Sequence, residues 1–157
     1  MGEPHDMDVD LSDARHIKEV AVNDLKAMMR RFVDEYQIGR RDEVADELLA
    51  VDFINHSAPP GLPPGREGVK VLFAMFWSAF PDLRAEIHDM LVEGTTVVTR
   101  KTLRGTHTGD FMGIAPTGRP VSIEIIDMVR AREGLFVEHW GVFDQLGVLQ
   151  QLGVIEQ

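Results

Sequence analysis

The chain has 157 residues, a formal net charge of −10, 44% hydrophobic and 27% charged residues, and no cysteine. The acidic balance argues against nucleic acid or an anionic membrane surface as partner, since both are held by Lys and Arg. The missing thiols remove disulfides, thiolate metal sites and cysteine nucleophiles together, and no apolar run approaches the roughly 18 residues of a membrane span.

The length suits one domain that buries roughly 70% of its unfolded surface. Residues 1–13 carry Glu3, Asp6, Asp8, Asp10 and Asp13 with no Lys or Arg, which predicts a disordered acidic tail ahead of a single domain over 14–157. The first residues show no basic start followed by an apolar core, so no secretory signal is expected, and the location is expected to be cytoplasmic.

In chain order, the first periodic segment covers residues 13–39. Ile17, Val20, Ala21, Leu25, Met28, Met29, Phe32, Val33 and Tyr36 recur at helical spacing. Ser12 or Asp13 is its expected cap and Gly39 its stop. A short helix follows over 42–49, then an extended piece over 52–56. A loop rich in Pro and Gly covers 59–65. A third helix over 66–79 shows Val69, Leu72, Phe73, Phe76 and Trp77 on one face.

The period then changes. Strands are predicted over 83–92, 96–106, 121–131 and 135–143, with turns at Glu93-Gly94-Thr95 and Arg132-Glu133-Gly134. A last helix covers 146–152. Helices first and consecutive strands later define an α+β fold, a curved antiparallel sheet wrapped around N-terminal helices, with a small-molecule pocket at the open end.

Strand alternation sorts the polar residues into faces. Asp127 shares a face with Val121, Ile123, Ile125 and Val129. Burial there should raise its pKa and suit it to acid or base work. The ordinary alternative is a structural Asp paired with an Arg such as Arg100. On the next strand, one face offers His139 and the other offers Trp140 with Asp144. A bulge at Gly141 could exchange the two. His107 sits at a strand end, and Asn55-His56 borders the Pro-rich loop as a rim. Phe73, Phe76, Trp77, Phe111, Met112 and Trp140 are candidate apolar walls. The six His show no metal-binding spacing, so no metal is expected, and no Gly-rich phosphate loop is present to hold a nucleotide cofactor.

The stretch from Gly105-Thr106-His107-Thr108-Gly109 through Gly113-Ile114-Ala115-Pro116-Thr117-Gly118-Arg119 forms one half of a pattern. Glu138-His139-Trp140, Asp144 and Leu149-Gln150-Gln151-Leu152-Gly153 form the other half. With Ala79-Phe80-Pro81-Asp82-Leu83 and the Glu93-Gly94 turn, this resembles the SnoaL-like polyketide cyclases, or ester cyclases, of the NTF2-like cone fold. The resemblance covers about residues 20 to 153. It implies a cofactor-free ring closure of an apolar polyketide ester by intramolecular aldol condensation, with Asp144 or Asp127 as acid/base. It also implies a homodimer or higher oligomer packed through the open sheet. In some related sequences the residue after the Trp is Asp, where this chain has Gly141.

Two other readings use the same fold. One is a hydrolase resembling the limonene epoxide hydrolases, which needs Arg100 or Arg130 bridging two carboxylates inside the cavity. The other is a non-catalytic small-ligand-binding module, since fold alone does not fix function.

Overall fold

The computed structural model describes residues 11–156, and the tail expected over 1–13 lies mostly outside that range. Helix α1 (Leu11–Arg31) starts ahead of the expected Ser12 or Asp13 cap and runs directly into a π-helical segment, Phe32–Ile38. The wider turn lets Phe32, Val33, Tyr36 and Gln37 all face inward. Gly39 ends the segment through close packing. A Cβ there would stand 2.5 Å from the Glu35 carbonyl oxygen, while the left-handed residue is Arg40, at φ 60°.

Next come α2 (Asp42–Leu48), β1 (Leu49–Asn55) and α3 (Arg66–Ala79). Four long strands follow: β2 (Arg84–Glu93), β3 (Thr96–Thr106), β4 (Pro120–Arg132) and β5 (Leu135–Phe143). Helix α4 (Gln145–Gln151) ends the described fold. The β4–β5 turn places both Glu133 and Gly134 at positive φ, the backbone that matches the twist of a tight hairpin.

The sheet has five strands in the order β1-β5-β4-β3-β2. The four long strands pair antiparallel, as expected. The extended piece near residue 52 proves longer than its sequence suggests and joins β5 in parallel, making the sheet mixed. That pairing sets Asn55 beside His139.

Alternation holds along β4, whose Val121, Ile123, Asp127, Val129 and Ala131 are buried. In β5 the irregularity lies at Val137, between the pairs Arg130–Glu138 and Ala131–Phe136, and not at Gly141. Phe136 and Val137 are consequently both buried, and beyond them His139 and Gly141 share the inner face with Asp127.

Two apolar clusters fill the interior of the cone. One joins Leu25, Met29, Phe32, Val33 and Tyr36 to Val44, Leu48, Phe53, Phe73, Val97, Val129 and Phe136. The other joins Phe80, Leu83, Leu103, Phe111, Val121 and Ile123 to Val148 and Leu152 of α4. Phe76, Trp77 and Ala85 touch both. Among the described residues, no helix is long and apolar enough to cross a membrane.

Candidate active site

A chain of five side chains runs across four strands and the π-helical segment. Lys101 alternates inward on β3 with Val97, Thr99 and Leu103. Its Nζ lies 2.7 Å from Asp127 Oδ2 and donates to Gln37 Oε1 at 3.0 Å. Asp127 Oδ1 lies 2.7 Å from His139 Nε2. The other ring nitrogen, Nδ1, lies 2.7 Å from Asn55 Oδ1. The indole N–H of Trp77 donates to the Gln37 carbonyl at 2.8 Å, tying this end of the chain to α3.

Exposure is graded along the chain. The Lys101 side chain is 3% exposed, Asp127 11% and His139 22%. The imidazole, between Asp127 and the buried Asn55, is therefore the member of these three that meets solvent most. Beneath it lies Gly141, directly opposite Asp127. A Cβ on Gly141 would stand 2.8 Å from Asp127 Oδ1, 2.8 Å from His139 Cε1 and 2.9 Å from His139 Nε2. The pair occupies the volume that any side chain at 141 would need.

The expected upward shift of the Asp127 pKa is reversed. Burial does push it up, but the Lys101 charge and the His139 hydrogen bond and charge outweigh that. They hold the carboxyl well below the usual carboxylate range. Sequence alternation identified the buried face and missed the cation on it. Lys101 carried a similar signal to Asp127, one charged residue on an otherwise uncharged inward face. Gln37 carried none, because helical periodicity does not anticipate the π turn.

The remaining candidates lie elsewhere. Asp144 is exposed and accepts from the Gly147 N–H at 2.9 Å, capping α4 outside the buried chain. Trp140 lies on the outer face, stacked on His56 with centroids 4.7 Å apart and with Arg130 over its ring at 5.1 Å. His56 Nε2 faces Glu138 Oε1 at 3.2 Å, also away from the cone interior.

His107 is fully buried against Phe80. Its Nδ1 accepts from the Thr117 N–H at 3.2 Å, and its Nε2 has no protein partner. It belongs to the second apolar cluster's surroundings, about six β-residues along the chain from Lys101. Phe73 and Phe111 are buried core residues, Phe76 and Trp77 bridge the two clusters, and Met112 is exposed at φ 52°.

Arg100 is exposed and pairs with Asp89, and Arg130 is exposed and pairs with Glu138. Neither bridges carboxylates inside the cone, so the requirement set by the epoxide-hydrolase reading is not met. Among the described residues, no group of three His, Cys, Asp or Glu side chains is arranged to hold a metal ion.

A curved sheet wrapped on helices, with an Asp–His pair buried in its interior, defines the chain as an α+β cone of the NTF2-like kind. Residues 26–152 match the family described as SnoaL-like polyketide cyclase, and the chain belongs to that family. It is 32% identical over 130 residues to the aklanonic acid methyl ester cyclase DnrD of Streptomyces peucetius, covering 76% of this chain and 88% of that one. Among solved structures, TsrD from Streptomyces laurentii superposes with a TM-score of 0.77 at 30% identity, covering 85% of this chain and 97% of its own. IdmH from Streptomyces antibioticus gives 0.72 at 36% identity, covering 82% and 98%.

Proposed function

We propose that the protein closes a ring in an apolar, conjugated carbonyl substrate of the polyketide ester class by intramolecular aldol chemistry, without metal or cofactor. The observation that carries this is the Asp127–His139 pair. The two side chains lie 2.7 Å apart, His139 is more exposed than Lys101 or Asp127, and the Trp77 indole joins the same network through the Gln37 carbonyl. A protonated ring at such a point can stabilise an oxygen on which charge develops. Family membership and the likeness to aklanonic acid methyl ester cyclases support the substrate class.

The test is ring closure of aklanonic acid methyl ester by wild type, Asp127→Asn, His139→Gln and Asp144→Asn. Loss in the first two variants with retention in the third is expected. Equal rates in all four would refute the assignment.

The same reading includes a homodimer or higher oligomer. The outer sheet face exposes Leu91 and Val142, each at 69%, beside Ile126 and Met128, more apolar surface than an isolated sheet usually shows water. Sedimentation of the full chain tests this. We place the protein in the cytoplasm, with which a cysteine-free sequence is compatible.

A further inference from the structure

The hydrogen bonds around His139 determine where its protons are. The Ser57 backbone N–H donates to Asn55 Oδ1 at 2.9 Å. A backbone N–H can only donate, so that atom of Asn55 is the amide oxygen, an acceptor. His139 Nδ1, 2.7 Å from the same oxygen, must then carry a hydrogen.

The opposite nitrogen, Nε2, faces a carboxylate oxygen at 2.7 Å. Two lone pairs cannot meet at that distance, so a proton lies between them. Asp127 also accepts from Lys101 through its other oxygen and is held in its ionised form. The proton therefore belongs to the ring, and His139 is an imidazolium. Two cations, Lys101 and His139, flank one anion, and neither makes an ion pair with a second carboxylate among the described residues. Lys101 has three donors and uses two, toward Asp127 and Gln37.

We propose that this cluster carries a net positive charge and takes its ligand as an anion, a conjugated carbonyl compound ionised as an enolate or phenolate, seated against the solvent-facing side of His139. The proposal rests on the ring-closing reading and adds the charge state of its substrate. It also runs against the sign of the whole chain, whose net charge of −10 would repel an anion elsewhere on the surface. Low dielectric in the buried layer strengthens the local field over the distant charges.

In the reaction the enolate carbon attacks a ketone carbon of the same molecule. A C–C bond forms, the carbonyl π pair moves to its oxygen, and that alkoxide, stabilised by the positive charge of the imidazolium, takes a proton from solvent. His139 keeps both ring protons, Nδ1–H toward Asn55 and Nε2–H toward Asp127.

Two measurements test this on the full chain. Nitrogen-detected NMR of the imidazole rings, assigned through His139→Gln, is expected to show both ring nitrogens of His139 protonated near neutral pH. A singly protonated ring overturns the proposal. The second uses 4-nitrophenol, whose absorbance reports its ionisation, at the pH where half is ionised in free solution. The bound probe is expected to favour nitrophenolate by about tenfold or more. That preference should fall about tenfold in Lys101→Gln and in Asn55→Leu, and persist in the outer-face control Arg100→Met.

A bound probe that stays un-ionised, a preference unchanged in Lys101→Gln and Asn55→Leu, or failure to bind nitrophenolate at all each overturns the proposal. Intact nitrophenolate preference with no ring closure counts against the proposed reaction alone.

Discussion

Gly141→Ala isolates the geometry of the site in a single methyl group. In an ordinary strand this change is stabilising by about 0.5–1 kcal/mol, because glycine loses more backbone freedom on folding. Here the new Cβ would stand 2.8 Å from Asp127 Oδ1 and from His139 Cε1, whereas ordinary van der Waals contact begins at 3.4 Å. One or both groups must retreat by about 0.6 Å. Moving the ring by that amount stretches the 2.7 Å Asp127–His139 bond beyond the range of a strong charge-assisted contact.

Overpacking costs about 1–3 kcal/mol, so the sign reverses and the variant should be destabilised by about 2 kcal/mol. For a chain of this size that lowers Tm by about 4–8 °C. Urea denaturation of wild type, Gly141→Ala, His139→Ala and the double variant measures it. In the His139→Ala background the ring is gone, and the cost of Gly141→Ala should shrink by about 1 kcal/mol or more. A single variant as stable as wild type, or a cost unchanged without the ring, would refute the claim that the pair occupies the space above Gly141.

Other outcomes follow from neighbouring contacts. Asp127 contributes stability that is complete above the unfolded aspartate value of about 3.9 and lost as pH falls through its depressed folded value. The stability gap between wild type and Asp127→Asn should therefore be widest near neutral pH and narrow below about pH 4; a gap that widens with acid contradicts the assignment. Thr99 Oγ1 is buried without a partner, so the isosteric Thr99→Val should stabilise by about 1 kcal/mol in chemical denaturation. Asp144→Ala should cost about 1 kcal/mol through the lost cap of α4, seen as a lower Tm, with ring closure retained.

The long elements were legible because their apolar periods are strong. The third helix and the strands over 96–106 and 135–143 fall where their alternation puts them. What escaped was set by partners far along the chain. Asp52-Phe53-Ile54 reads as a short extended piece, and only β5 makes it an edge strand. The inward face of β5 depended on Val137, an ordinary strand residue with nothing in its identity to mark a bulge. Asp127 was found from its apolar neighbours, but its charge state depended on Lys101, one strand away and unpaired with it in sequence. The residues that fix the His139 protons, Asn55 and Ser57, come from β1 and the loop after it.

Gly follows Trp140 in this chain, and the crowding above it sets what another residue at 141 would do. The space above position 141 holds Asp127 Oδ1, which reaches it from the opposite strand. Adding Asp at 141 alone would crowd two carboxylates against one imidazolium, and like charges at that distance cannot both stay ionised. Gly141→Asp should therefore be less stable than Gly141→Ala near neutral pH. Combining it with Asp127→Gly, which vacates the space and removes the second charge, should recover most of that loss in urea denaturation. If the double variant is no more stable than Gly141→Asp alone, the two positions do not share one carboxylate site.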